Sequence, residues 1–193
     1  MINHKSDIFS IQTIETIQSD DFFNLIEKNR SHLALGFPYT ILKCATPEST
    51  KDYLKESAKT IADKKGYFFY LRNKKTEALI GLVNIKNINK EIPLCELGYF
   101  IDREYQGKGI TSMAVDAVLH FCFEELQMNK VFICTDKVNI GSQKVALKNG
   151  FLQEGILRNE FKNPKGELND VVYFGLLRSD YYKNTTVKRN KEK

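Results

Sequence analysis

Hydrophobic and polar positions repeat with two different periods along this chain, and the change of period lays out its architecture. Asp7–Thr13 reads as a first strand. Helical spacing follows: Phe22, Phe23, Leu25 and Ile26 form an apolar stripe on a helix to about Asn29, which Ser19 or Asp20 can cap. Residues 30–46 break the pattern at Gly36 and Pro38 and read as a loop with short helical turns. Thr46-Pro47-Glu48 opens the next helix, with Thr46 as cap and proline at the first helical position, running to about Lys64 and stopping at Gly66. Strands are then expected at Tyr67–Arg72, Ala78–Lys86 and Cys95–Asp102, an antiparallel meander turning at Asn73–Thr76 and around Pro93. Gly107–Leu126 carries the strongest helical pattern, through Ile110, Met113, Ala114, Ala117, Val118, Phe121 and Cys122. Lys130–Thr135 carries the apolar run Val131–Cys134, as a central strand does. Ile140–Asn149 reads as a short helix closed by Gly150. Strands at Phe151–Phe161 and Leu168–Leu177 flank a turn at Asn163-Pro164-Lys165-Gly166.

The order β-α-α-β-β-β-α-β-α-β-β defines an α/β fold, a mixed sheet with helices on its faces. The crossover from strand 95–102 through helix 107–126 to strand 131–135 implies a parallel pair and a right-handed unit.

Composition narrows the function classes. Among 193 residues, 13 Phe and 9 Tyr supply ample surface to bury, which excludes disorder as the main state. No apolar run reaches the ~18–20 residues of a membrane helix. The opening MINHKSDIFS lacks the pattern of a secretory signal, so a cytoplasmic location is expected. The net charge is +5, yet Lys183–Lys193 alone holds five bases and one acid. The rest is nearly neutral, so no basic face is expected. This divides the chain into one domain over 1–182 and a basic, disordered tail at 183–193, and it confines any nucleic-acid contact to that tail. Cys44, Cys95, Cys122 and Cys134 form no CxxC pair and read as reduced, buried thiols. His4, His32 and His120 form no ligand cluster, so no metal is expected.

The chemistry is concentrated in Glu96–Thr111, where a strand ends and a glycine-bearing loop opens the long helix. Such a loop presents free backbone N–H groups at the positive end of a helix dipole, a site for phosphate or pyrophosphate. Gly107 and Gly109 allow close approach, and Lys108 adds positive charge. The spacing matches neither GxGxxG nor GxxxxGK[ST], which excludes an ordinary dinucleotide fingerprint and a P-loop. On local grounds the alternative is a tight strand-to-helix turn.

Gln106-Gly107-Lys108-Gly109-Ile110-Thr111 resembles the Q/R-x-x-G-x-G/A acyl-CoA signature of the GNAT N-acetyltransferases, with Thr111 departing at the last small position. Asn139-Ile140-Gly141-Ser142 and Lys148-Asn149-Gly150-Phe151 resemble the N-x-x-S…K-x-G-F block of the same family. Asn29-Arg30-Ser31-His32-Leu33 and Leu35-Gly36-Phe37-Pro38-Tyr39 resemble the N-R-x-H-L…W-L-P-W pattern of the Rim-type ribosomal-protein N-terminal α-amino acetyltransferases, with Phe37 and Tyr39 in place of tryptophans. The likeness runs over residues 7–178.

This resemblance implies acetyl-CoA as co-substrate and assigns roles. Backbone groups of Tyr99, Phe100 and Ile101 would hold the pantetheine arm, their side chains being core. The backbone of Gln106–Thr111 would take the pyrophosphate, and Asn139 would bond the cofactor arm. Ser142 is either a helix cap or the hydroxyl that stabilises the leaving thiolate. Glu160 is the favoured general base and Glu96 its competitor, each against the reading of a solvated carboxylate. Arg30, His32, Phe37 and Tyr39 fall on the acceptor side. For Arg30 and His32 a charge pair at a helix C-terminus is the equal alternative.

An α-amine has a pKa of ~7.7–8.0 and a lysine ~10.4, so the lysine costs roughly 3–4 kcal/mol more to deprotonate. A site with weak base candidates therefore suits an α-amine. The leading expectation is acetyl transfer to a protein N-terminus by direct attack in a ternary complex. Its rivals are a polyamine or other small amine as acceptor, a silent acyl-CoA-binding module, and nucleic-acid binding through the tail. Both monomer and homodimer stay open.

Overall fold

The computed structural model describes residues 6–34, 36–163 and 166–191. Leu35 of the acceptor-side motif and Pro164 and Lys165 of the expected turn lie outside the described residues. Strand β1 (Phe9–Gln12) leads through one 3-10 turn into α1 (Ser19–Leu33), α2 (Pro38–Lys43) and α3 (Pro47–Ala62). Strands β2 (Tyr67–Asn73), β3 (Leu79–Asn89) and β4 (Leu94–Ile101) form the meander. Helix α4 (Ile110–His120), β5 (Lys130–Asp136), α5 (Ile140–Lys148), β6 (Leu152–Lys162), β7 (Leu168–Leu177) and α6 (Arg178–Lys191) complete the chain.

The seven strands lie in the order β1-β2-β3-β4-β5-β7-β6. All neighbours are antiparallel except β4 and β5, the expected parallel pair. Helices α1–α3 cover one face of the β1–β4 half through Phe22, Leu25, Ile26 and Tyr53, packed on Tyr70, Leu82 and Phe100. The opposite face packs Ile80, Val83, Leu97 and Ile133 against Ile110, Val118 and Ala146 of α4 and α5. Among the described residues no helix is long and apolar enough to cross a membrane.

Local chemistry explains the boundaries. Thr46 caps α3 in a reciprocal capping box with Ser49, with Pro47 at the first helical position. Helix α1 differs from expectation at both ends. Its cap is Gln18, with no side-chain bond, rather than Ser19 or Asp20. It runs on to Leu33 because Asn29 and Leu33 continue the buried stripe of Phe22, Leu25 and Ile26. The long helix begins at Ile110, not Gly107, since Gly107 and Gly109 both hold left-handed backbone (φ 71° and 76°). Its last turn, Phe121–Glu125, is π-helical.

Helix α6 runs through the basic segment as far as Lys191. The start of that helix is anchored, because Tyr181 stacks on Phe123 at 4.7 Å between centroids. Charge composition alone hides such an aromatic anchor.

Candidate active site

The β4–β5 ladder is short. It pairs Leu94 with Lys130, Cys95 with Val131 and Glu96 with Phe132, and then ends. Beyond that point Leu97–Ile101 pair only with β3, and Ile133–Asp136 only with β7. The two strands splay, and the backbone edges facing the gap have no sheet partner. The residues expected to hold a pantetheine arm, Tyr99, Phe100 and Ile101, line this gap on the β4 side.

The loop after β4 carries the candidate anion site. None of the backbone N–H groups from Gly107 to Ser112 donates to a described acceptor. They cluster at the positive end of α4. A Cβ on Gly107 would meet nothing within 4 Å, so the loop faces open space. A Cβ on Gly109 would lie 3.8 Å from Lys148 Nζ. The lysine that closes α5 therefore reaches over the first turn of α4, a cation the sequence reading passed over as part of a structural motif. Lys108 Nζ instead sits over the Tyr105 ring, 5.0 Å from its centroid. A pyrophosphate fits this arrangement of free donors and one adjacent ammonium.

Asn139 is the N-cap of α5: its side-chain oxygen accepts from Ser142 N at 3.0 Å. This removes the reading of Ser142 as cap. The Ser142 hydroxyl lies 3.0 Å from the Tyr99 hydroxyl. The same phenol donates to the Ser142 carbonyl at 3.1 Å. Tyr99 thus spans the splay from β4 to α5, and its side chain is more than the plain core the sequence reading made of it. Burial pushes the Tyr99 phenol up to about 12, opposed by its bond to Ser142, so it stays a proton donor at neutral pH.

The opposite face of the sheet carries the carboxylates. Period-two alternation along β4 puts Glu96, Gly98 and Phe100 together. Glu96 is buried (8% exposed) beside the last rung of the β4–β5 ladder. Its Oε1 pairs with Lys86 Nζ at 3.0 Å, and its Oε2 accepts from Asn87 Nδ2 at 2.6 Å. Glu160 is exposed on β6, with no hydrogen bond or ion pair among the described residues. Both carboxylates act on the Cys134 thiol, which is pushed up to about 12, first by burial and then by Glu96, with Glu160 adding to it and Lys86 opposing. Both carboxylates thus lie within electrostatic reach of a thiol on the β5 side of the splay.

The acceptor-side residues divide. Phe37 packs edge-to-face on Phe100, with centroids 5.0 Å apart, and closes over Gly98, where a Cβ would lie 3.7 Å from its ring and 2.5 Å from Asn84 Oδ1. Gly98 keeps this floor open because nothing larger fits. Tyr39 is exposed and donates its hydroxyl to Glu56 at 3.2 Å. Arg30 ties α1 to the end of α2: it pairs with Glu27 at 2.6 Å and donates to the carbonyls of Ile41 and Cys44. Its donors are engaged within the fold, so it is a brace in this structure. His32 turns the other way and meets Gln106, the first residue of the glycine loop, at 2.6 Å between their Nε2 atoms. The amide nitrogen donates, so His32 accepts as a neutral imidazole. Burial holds His32 below its usual pKa, aided by Arg103 and opposed by Asp102.

The sheet thus splays at its parallel pair, with the glycine loop at one end of the gap and the Tyr99–Ser142 hydroxyl pair beside it. Residues 13–152 match the model of the acetyltransferase (GNAT) domain, and the chain belongs to that family. The Escherichia coli ribosomal-protein-serine acetyltransferase is 30% identical over 144 residues, covering 73% of this chain and 78% of that protein. Against two Bacillus relatives the match spans only 56% and 60% of the relative's own length. Among solved structures, the ribosomal-protein-S5-alanine acetyltransferase of Vibrio fischeri superposes with a TM-score of 0.81 at 25% identity, covering 92% of this chain and 97% of that one. The Vibrio cholerae spermidine N-acetyltransferase, solved with CoA and spermine, superposes with a TM-score of 0.74 at 25% identity, covering 92% of this chain and 99% of that one.

Proposed function

We propose that this chain transfers the acetyl group of acetyl-CoA to a primary amine, and that its acceptor is the α-amine of a protein or peptide N-terminus. The observation that carries this reading is the broken β4–β5 ladder. It opens directly between the donor loop at Gly107–Ile110 and the Tyr99–Ser142 pair on one face and the two carboxylates on the other.

In this reading the loop N–H groups and Lys148 hold the pyrophosphate. The pantetheine arm lies along Tyr99–Ile101 and takes up their free backbone groups, with Asn139 at the start of α5 beside it. The amine enters from the face of Glu96, Gly98 and Phe37. Glu160, the unengaged carboxylate, takes the amine proton as nitrogen attacks the thioester carbonyl. The C–N bond forms, the C–S bond breaks, and its electron pair leaves on sulfur. The Ser142 hydroxyl donates to that thiolate.

The α-amine is favoured by the names of the ribosomal-protein relatives and by the small deprotonation cost of such an amine near neutral pH. A polyamine is the second reading, supported by the spermidine enzyme's similar fold and by the pair of carboxylates converging near Cys134. The deciding experiment is an acceptor panel with acetyl-CoA, read by mass shift, on free N-terminal peptides, N-blocked lysine peptides and spermidine. Products from the free N-terminal peptides alone are expected. Acetylated spermidine or lysine would overturn the acceptor while leaving the chemistry intact. Bound cofactor with no product from any amine would point to the silent module.

A further inference from the structure

Tyr99 has one hydroxyl hydrogen and two acceptors for it. The Ser142 carbonyl lies 3.1 Å away and the Ser142 hydroxyl 3.0 Å away. The two arrangements are exclusive, and they aim Ser142 differently. When Tyr99 donates to the carbonyl, the Ser142 hydrogen is free to point back at the phenol oxygen. When Tyr99 donates to Ser142 Oγ, the phenol fills the acceptor side of that oxygen, and the serine hydrogen turns outward into the splay.

The geometry points to Tyr99 as a positioning residue that switches its hydrogen from the Ser142 carbonyl to the Ser142 hydroxyl as negative charge gathers on the departing sulfur, so that the serine donates to the thiolate. This rests on the acetyltransferase reading above and deepens it. No bond to Tyr99 forms or breaks, and no proton leaves it; only hydrogen bonds are exchanged. The chain of two donors polarises toward sulfur, and each bond strengthens the next. The main-chain carbonyl serves as a resting place, which keeps the phenol satisfied while the site is empty of charge. Its buried position keeps the phenol protonated through the working range.

The test reads the thiolate itself. CoA is bound to the full chain and its thiol is titrated by thiolate ultraviolet absorbance, in wild type, Tyr99→Phe, Ser142→Ala and the double variant. The wild type should hold the bound thiol below its value in free CoA. Tyr99→Phe should raise it by about one unit, a tenfold weaker thiolate site, and the double variant should be no worse than Ser142→Ala. Turnover with the best acceptor should fall about tenfold in kcat with KM for acetyl-CoA unchanged. A bound thiol that titrates alike in wild type and Tyr99→Phe overturns the proposal, as does a double variant that sums the two single losses. Failure of wild type to bind CoA at all sinks the acetyltransferase reading instead, and with it this one. If Tyr99→Phe does not fold, fluorotyrosine at the same position keeps ring and hydroxyl but donates more strongly. It should move the bound thiol further down, and an unmoved titration then overturns the proposal.

Discussion

Gly109→Ala isolates the contribution of backbone shape to cofactor binding. Gly109 sits at φ 76° as the N-cap of α4. A new Cβ meets only Lys148 Nζ, at 3.8 Å, an ordinary contact, so steric overlap is not the issue. What remains is the cost of holding an alanine in the left-handed region, about 1–2 kcal/mol. That cost must surface in one of two places. If the loop stays as it is, the folded state carries the strain, and the melting temperature falls by roughly 2–8 °C at ~2–4 °C per kcal/mol for a chain of this size. If the loop relaxes to negative φ, the melting point holds. The N–H groups of Gly107–Ile110 must then be re-gathered on binding, and Kd for CoA rises about fivefold to thirtyfold, at tenfold per ~1.4 kcal/mol. Calorimetric titration with CoA and a thermal melt on the same preparation measure both. The two losses together should account for about 1–2 kcal/mol. An alanine variant that melts and binds like wild type would refute the assignment of this loop to the cofactor phosphates.

Glu160→Gln should lower kcat/KM most at low pH, where the amine is chiefly protonated and needs a base; a larger loss in Glu96→Gln, whose oxygens are held by Lys86 and Asn87, would exchange the two roles. Lys148→Ala should weaken CoA binding about fivefold, the ~1 kcal/mol of one exposed charge pair, with a shallower salt dependence than wild type; unchanged binding would return Lys148 to a surface lysine. His32 is held below its unfolded value of 6.5, so the unfolded chain takes up a proton that the folded chain refuses. Stability should therefore fall as pH drops through about 6.5, until the lower folded pKa is passed, and His32→Gln should flatten that slope in urea melts at stepped pH.

The succession of strands along the chain, the parallel crossover and the glycine loop are legible in the sequence because each rests on local periodicity or on residues close together. The contacts that give the site its geometry were not. Tyr99 reads as core because an aromatic in an apolar strand satisfies the strand pattern, and its partner Ser142 lies 43 residues away. The resemblance puts His32 on the acceptor side, and nothing local signals that the end of α1 also carries it to Gln106, 74 residues on. Arg30 reads as a peptide contact or a helix-end charge; it does lie in the last turn of α1, and it also fastens two carbonyls at the end of α2. Helix α6 was hidden by its charge, since its aromatic anchor occupies only the first turn. Each difference is a long-range contact overriding a local pattern.

The short β4–β5 ladder has a mechanical meaning as well. Three rungs are all that join the two halves of the sheet directly. A ligand lodged in the gap acts as a splint across this weak seam. By mass action, occupancy at a hundred times Kd adds about 2.7 kcal/mol to the stability of the folded chain. Without it, the two halves are held together chiefly by the core that β5 and β7 share with β3, β4 and α4. With acetyl-CoA as the proposed occupant of the gap, the lifetime of the protein would be coupled to the abundance of that co-substrate.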